Sequence, residues 1–587
     1  MKRYFNCTAL VTASLLTLVA CTAYQQAEDM HGSIATAPAN KRVADEEKTP
    51  QPAPARQERS KLARNTLAVP PAVQPGLASD ATAGGQQALS NAPVKALAVD
   101  QSPGWIAPDR ENYAHFEDNP LRRVFDKPVS TFSIDVDTGA YANVRRFLNQ
   151  GRLPPHDAVR VEELINYFAY RYPVPENAAQ PFSITTETGP TPWNDATRLL
   201  HIGIQGYRLA EQDLPPANLV FLVDVSGSMR AANKLALLKP ALKMLARRMR
   251  AEDSIAIAVY AGASGTILPP TRGDDRATIT AAIDNLRAGG STNGASGIRL
   301  AYQLAEQNFN NSGINRVILA TDGDFNVGTT DIQQLKELVA AKRRSGVALT
   351  TLGFGSGNYN DSLMEQIADA GNGNYAYIDN LNEAHKVLSQ ELSATLRTIA
   401  RDVKVQIEFN PAVVSEYRLI GYVNRRLRDE DFANDKIDAG DIGAGHSVTA
   451  LYEIALHGDG GERLPQFRYG TAVAAPAFAE QPELGFVRLR YKSARGNTSR
   501  LLERVVHGAD MRDTLVQTSE QFRFSAAVAA FGESLRGGRY LGDFDLQGVQ
   551  LLARDSRGVD AFGYRAEFLQ LVGLALALRD GVAQISP

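Results

Sequence analysis

The 587-residue chain is poor in the residues that mark most catalytic and nucleic-acid-binding proteins. It has two cysteines, Cys7 and Cys21, both near its start. That excludes a disulfide framework or a cysteine-based zinc site from everything that follows them. Basic residues are not in excess. There are 62 Lys and Arg against 65 Asp and Glu, for a net charge of −3, which lacks the electrostatic footprint of a nucleic-acid binder. The eight histidines are dispersed. None sits in His-Glu-x-x-His or pairs with Asp or Cys at zinc spacing. The glycine run Gly353-Phe354-Gly355-Ser356-Gly357 lacks the Lys-Ser/Thr ending of a phosphate loop, and Asn358 stands where a dinucleotide fingerprint needs Gly. It reads as a loop after a strand. Past the first twenty residues no apolar segment reaches membrane-spanning length. The late run Phe568 to Leu578 is interrupted by Gln570 and fits a buried helix.

The start of the chain reads as an address. Lys2 and Arg3 precede an apolar stretch through Leu10, Val11, Leu15, Leu16, Leu18 and Val19, ending at Leu18-Val19-Ala20-Cys21. The stretch is too short to span a bilayer and has the layout of a secretion signal. Its last four residues resemble the lipobox of bacterial lipoproteins. The resemblance implies that residues 1–21 are a lipoprotein signal and that cleavage leaves a diacylated Cys21 holding the chain on a membrane. Thr22, where Asp would mark inner-membrane retention, favours the outer membrane facing the periplasm in a Gram-negative host. Residues 22–107 are rich in Ala, Pro, Gln and Ser, and Pro50-Gln51-Pro52-Ala53-Pro54 is typical. Such a segment buries too little apolar surface to fold and is expected to be a disordered tether. Roughly 80 residues of flexible chain reach ~50 Å.

Three ordered regions are expected beyond it. Residues 108–200 form an N-terminal companion region, with a strand over 129–135, a helix over 140–149 and a second helix over 158–168 capped by Asp157. Residues 201–398 alternate strand and helix. Strands are expected at 219–223, 254–260, 316–320, 348–352 and 375–378. The intervening helices include 234–249, where Pro240 predicts a kink or a second start. Unbroken apolar strands in such an alternation predict an α/β fold built on a central, doubly wound, mostly parallel sheet. Residues 399–587 form a C-terminal companion region. Period-two alternation at 403–409 and 487–491, with a further strand at 447–456, predicts antiparallel β structure there, followed by helices near 519–535 and 564–578.

Chemistry concentrates at two strand ends. The apolar strand Asn218 to Val223 runs into Asp224-Val225-Ser226-Gly227-Ser228, which sets oxygen-bearing side chains at 224, 226 and 228. A second strand ends at Asp322-Gly323-Asp324. Between them Gly289-Gly290-Ser291-Thr292-Asn293-Gly294 is a flexible turn carrying hydroxyls. Open α/β sheets bind ligands beyond the carboxyl ends of their strands, and hard cations take carboxylates, hydroxyls and water. In type and order, Asp224, Ser226, Ser228, Thr292 and Asp322 resemble the metal-ion-dependent adhesion site of von Willebrand factor A (VWA) domains. The resemblance implies a Rossmann-like fold and Mg²⁺ as the cofactor, with Mn²⁺ or Ca²⁺ as alternatives. Ser226, Ser228 and Thr292 would contact the metal through hydroxyls, and Asp224 and Asp322 directly or through water. An acidic side chain from the partner would complete the shell.

The likeness extends outside this domain. Ser130 to Gly139, Ala140 to Phe147 and Val161 to Tyr167 are similar to the N-terminal region of YfbK-like bacterial VWA lipoproteins. Asp402 to Pro411 and Ala526 to Gly532 are similar to their C-terminal region. The expected function is an envelope lipoprotein that binds a protein or peptide partner through the metal, with no enzymatic activity. A metal-dependent envelope hydrolase is the alternative, although no Gly-x-Ser-x-Gly elbow surrounds Ser226 or Ser228. A structural assembly factor with a stabilising metal is another. Two weaker features read as local structure. Asp135-Val136-Asp137 fails as an EF-hand and suits a helix N-cap. The acidic stretch Asp429-Glu430-Asp431, with Asp435, Asp438 and Asp441 beyond it, reads as a solvated loop.

Overall fold

Residues 217–378 build a six-stranded sheet, the central sheet of this region. Its order is Tyr375–Ile378, Ala348–Phe354, Ile314–Thr321, Ala217–Asp224, Ser254–Tyr260 and Ser264–Arg272. All neighbours pair in parallel except the last, which joins antiparallel at the edge. The structure is a computed structural model. It describes residues 111–585 apart from 135–136, 177, 292–293, 324–331, 392–393, 395, 466–482 and 495. The expected signal, Cys21 and tether lie outside the described residues.

The pleat explains the unbroken apolar strands. In Ala217–Asp224, Leu219, Phe221 and Val223 point to one face and pack with Leu238, Leu242 and Leu245 of the helix Leu235–Arg248. Val220 and Leu222 point to the other face, against Ile298, Ala301 and Tyr302 of the helix Gly294–Gln307. Both faces are covered, so both residue sets must be apolar. The helix Leu235–Arg248 continues through Pro240 as one element. The chain leaves Ala217–Asp224 toward Ser254–Tyr260 on one side and returns to Ile314–Thr321 on the other. The switch point therefore falls between the strands that end at Asp224 and Thr321.

The flanking regions are interleaved in space. Strand Val129–Ser133 pairs antiparallel with Thr398–Phe409, and Asn194–Gly206 pairs with Ser447–Leu456. Two antiparallel sheets result, and they enclose one core. Phe132, Val405, Ile407 and Leu489 come from one sheet, and Ile202, Ile204, Val448 and Tyr452 from the other. Leu199 and Leu451 face outward onto a helical layer that includes Glu520–Leu535, Leu546–Asp555 and Tyr564–Ile585. Ser519 caps the first of these by accepting from Phe522 N at 3.1 Å. The boundary drawn at residues 200 and 201 falls inside the strand Asn194–Gly206.

Helix Gly139–Asn149 docks this body onto the edge strand Tyr375–Ile378. A Cβ at Gly139 would lie 2.2 Å from the Tyr375 ring, so glycine permits the approach. Asp137 Oδ1 accepts from Tyr375 N at 2.8 Å, and Arg425 pairs with Asp137 Oδ2. Asp137 thus ties two regions together, and it does not cap the helix. Thr138 occupies the N-cap position without a side-chain cap bond.

Several elements differ from expectation. The helix expected over 158–168 is a 3₁₀ turn, His156–Ala158, followed by an α-helix, Val161–Asn166. Asp157 accepts from His115 instead of capping. Val159 and Arg160 are extended, and the Arg160 guanidinium is anchored to Asp361 and Glu163, so tertiary ion pairs override local periodicity. The last helix of the strand–helix region is α only over Leu381–His385, then a π turn over Lys386–Gln390. The hairpin of Phe182–Thr191 and Asn194–Gly206, the edge strand Ser264–Arg272 and the helix Leu546–Asp555 are additional elements. Among the described residues, no helix is long and apolar enough to cross a membrane.

Candidate functional site

Asp224 closes its strand, and Asp322 follows the end of the neighbouring strand Ile314–Thr321. Both carboxylates are 0% exposed. Backbone geometry fixes the turn between Asp224 and Ser228. Asp224 Oδ1 accepts from Ser226 N at 2.8 Å, and Val225 N donates to Tyr260 O at 3.0 Å. Gly227–Arg230 then forms a 3₁₀ turn that sets Ser226 Oγ 2.9 Å from Ser228 Oγ.

The glycine loop arrives beside them. Gly289 N donates to Val225 O at 2.7 Å, and Gly290 O accepts from Gly227 N at 3.0 Å. Thr292 lies two positions further on, outside the described residues. After Asp322 the chain turns away through Gly323 at φ +84°. A Cβ there would also sit 2.6 Å from Asn360 N, so glycine is required twice over. The structure therefore brings Asp224, Ser226, Ser228 and Asp322 to one rim of the sheet. Arg230–Asn233, Gly290 and Ser291 stand exposed around it.

Three further residues complete the rim. Tyr260 lies opposite Asp224 in strand register and donates its hydroxyl to Asp224 Oδ2 at 3.0 Å. Thr321 Oγ1 donates to the same oxygen at 3.0 Å. Lys234, 6% exposed, places Nζ 2.8 Å from Asp322 Oδ2 and 3.4 Å from Asn358 Oδ1. No linear motif announces these three. The signals available were strand-end position for Tyr260 and Thr321, and the start of an apolar helix for Lys234. Of Gly353-Phe354-Gly355-Ser356-Gly357, the first two residues end the strand Ala348–Phe354 and the last three form the loop after it. Gly355 packs against the Lys234 side chain, on this same rim.

Burial, first of all, pushes the Asp224 carboxyl above the usual range. Hydrogen bonds from Ser226 oppose that shift, and the charge of Asp322 adds to it. Two buried carboxylates of like charge thus stand at adjacent strand ends, with two adjacent hydroxyls in the turn that follows Asp224. That is a hard, all-oxygen donor set suited to Mg²⁺, Mn²⁺ or Ca²⁺. Among the described residues, no group of three or more His, Cys, Asp or Glu side chains comes together to hold a metal ion, so this carboxylate pair relies on the serine hydroxyls for further donors. The Lys234 ammonium lowers the net charge of the pair from −2 to −1. Lys234→Met is therefore expected to tighten Mg²⁺ binding at least about tenfold, because a nearby cation repels the dication at short range. Calorimetric Mg²⁺ titration measures this, and unchanged or weaker affinity would refute the role given to Lys234.

This fold and rim define a VWA-domain protein. The family model "von Willebrand factor type A domain" matches residues 218–390, "von Willebrand factor" matches 107–201, and "Uncharacterized protein YfbK, C-terminal" matches 394–578. The chain is 47% identical over 508 residues to "Uncharacterized protein YfbK" of Escherichia coli (strain K12), covering 85% of this chain and 87% of that protein. It belongs to the YfbK family of VWA-domain proteins. Human inter-alpha-trypsin inhibitor heavy chain H3 is 26% identical over 270 residues, covering 42% of this chain and 30% of that one. Among solved structures, "von Willebrand factor type A from Catenulispora acidiphila" is 16% identical, covers 66% of this chain and 89% of that one, and has a TM-score of 0.39.

Proposed function

We propose that this protein is a lipid-anchored envelope protein whose VWA domain binds a protein or peptide partner through a divalent metal, Mg²⁺ foremost. The observation that carries the reading is the pairing of two fully buried carboxylates, Asp224 and Asp322, with the Ser226 and Ser228 hydroxyls at adjacent strand ends. Asp224, Ser226, Ser228 and Asp322 would hold the metal, with Thr292 as the fifth donor. The bound metal would supply a Lewis-acidic position for a carboxylate.

The chain's own residues preorganise that position. Tyr260 and Thr321 fix the Asp224 carboxylate, and the Gly289–Gly290 loop braces the serine turn. The exposed segments 230–233 and 290–291 are where a partner would dock. The N-terminal region also reaches this rim. Glu111 Oε1 accepts from Gly357 N at 2.8 Å, and Asn112 N donates to Tyr359 O at 2.9 Å. The reading of residues 1–21 as a lipoprotein signal supports an envelope setting, with Cys21 as the anchor and the tether giving the rim reach.

Affinity capture from envelope extracts tests the reading. Wild type in Mg²⁺ should retain a partner that EDTA releases and that Asp224→Ala never captures. Capture that survives both treatments would refute metal-dependent binding. Metal-dependent turnover of an ester or peptide would instead favour a hydrolase.

A further inference from the structure

The other end of the central sheet opens onto a second polar cleft. Arg316 occupies the third position of the strand Ile314–Thr321 and is 3% exposed. Its Nη1 donates to Thr350 Oγ1 at 2.6 Å, while its Nε has no hydrogen-bond partner among the described residues. Buried donors are normally satisfied, so one left open next to a cavity marks a place for an absent acceptor. Burial lowers the Arg316 pKa to about 10, and Asp441 is the charge that opposes the fall. The guanidinium thus lacks a close carboxylate of its own.

Arg316 lines two adjoining cavities of about 290 and 580 Å³. The larger lies between the start of the central strands and the strand Thr398–Phe409, and seven basic side chains line it against four acidic ones. The acidic side is already engaged. Asp438 pairs with Arg343 at 2.6 Å, Asp402 with Lys492 at 2.6 Å, and Asp435 with Arg490 at 2.9 Å. Asp441 accepts from Asn372 Nδ2 at 3.0 Å. On the basic side, Arg401 donates through Nη2 to Gly496 O at 2.8 Å, and its Nε also has no partner among the described residues. Unmatched positive charge and unmatched donors therefore occur together in one cleft.

We propose that this cleft binds a small oxyanionic ligand, a phosphate or carboxylate group held by Arg316 with Arg401 lining the same space. The planar guanidinium fork matches both groups, and a bound anion supplies the acceptor and the charge that Arg316 lacks. Thr398, which lines both cavities, adds a neutral hydroxyl. The cleft is separate from the metal rim. Asp322 lies six residue steps along the extended strand from Arg316, about 20 Å at ~3.3 Å per residue.

Calorimetric titration of the full-length protein tests the proposal, using sodium phosphate and sodium succinate against sodium chloride at matched ionic strength. EDTA present throughout keeps the metal rim out of the measurement. The expected result is saturable binding of phosphate or succinate but not chloride, weakened at least about tenfold in Arg316→Gln and measurably in Arg401→Gln. Binding of phosphate alone assigns a phosphorylated ligand, and binding of succinate alone a carboxylate. Failure of both anions to bind overturns the proposal. So does full affinity in either variant, and because Arg401→Gln is scored independently the test does not hang on the folding of Arg316→Gln.

Discussion

Arg145→Met is expected to destabilise the protein by about 3–5 kcal/mol, the usual consequence of removing one partner from a buried ion pair. Arg145 is 1% exposed on the docking helix Gly139–Asn149. It meets Asp379, Glu383 at 2.7 Å and Glu567 at 3.0 Å, and donates to the Tyr167 hydroxyl at 3.0 Å. Three regions of the chain converge on this one guanidinium. Burial works against its charge, and Asp379 and Glu383 more than offset that, holding its pKa well above the ordinary value.

Methionine fills similar space but leaves those carboxylates without their cation. Glu383 is already raised by burial, with Arg145 the leading influence that lowers it. Without Arg145 its folded pKa rises further above the unfolded value. A carboxyl raised in this way contributes stability below its unfolded pKa and loses it as pH rises through the folded one. The deficit of Arg145→Met should therefore be larger at pH 8 than at pH 5. Urea unfolding at the two pH values measures this. A loss below about 1 kcal/mol, or one that does not grow with pH, would contradict the role of Arg145 as the tie between regions.

Asp224→Asn should separate metal binding from folding. In EDTA the variant is expected to be as stable as wild type or slightly more so, within about 1 kcal/mol, because it removes one of two like charges buried at the rim. The amide keeps an acceptor oxygen for Ser226 N, and the Tyr260 and Thr321 hydroxyls can rotate to accept from its NH₂. In Mg²⁺ at a hundred times its dissociation constant, wild type should gain about 2.7 kcal/mol and the variant nothing. Unfolding curves in EDTA and in Mg²⁺ decide the matter. An equal gain in both proteins would remove Asp224 from the site. A loss of several kcal/mol in EDTA would mean that its main work is structural.

The sequence was most legible where burial on two faces left no choice. Ser254–Tyr260, Tyr375–Ile378 and Ser447–Leu456 lie where their patterns placed them. The strand ends at Asp224 and Asp322 were legible for the same reason, since each apolar run stops abruptly at an acid. Other elements were hidden by their chemistry. Ser264–Arg272 contains Pro269 and Pro270, which an interior strand would not tolerate but an edge strand does. Phe182–Thr191 is mostly half-buried and rich in threonine, so its alternation is faint.

Lys234 was hidden because its role depends on a partner 88 residues away. The pairing of the N- and C-terminal regions into shared sheets was also out of reach of local pattern, because the pairs Val129–Ser133 with Thr398–Phe409 and Asn194–Gly206 with Ser447–Leu456 join distant segments. The five residues of the motif needed the fold to bring them together. The structure does so for Asp224, Ser226, Ser228 and Asp322.

The central claim, that this rim holds a divalent metal, is tested most directly by titrating the purified full-length protein with Mg²⁺ after EDTA treatment and removal of the chelator, in parallel with Asp224→Asn. One saturable Mg²⁺ per wild-type chain and none in the variant is the result the account predicts. Absence of saturable binding in wild type, or undiminished binding in Asp224→Asn, would contradict it.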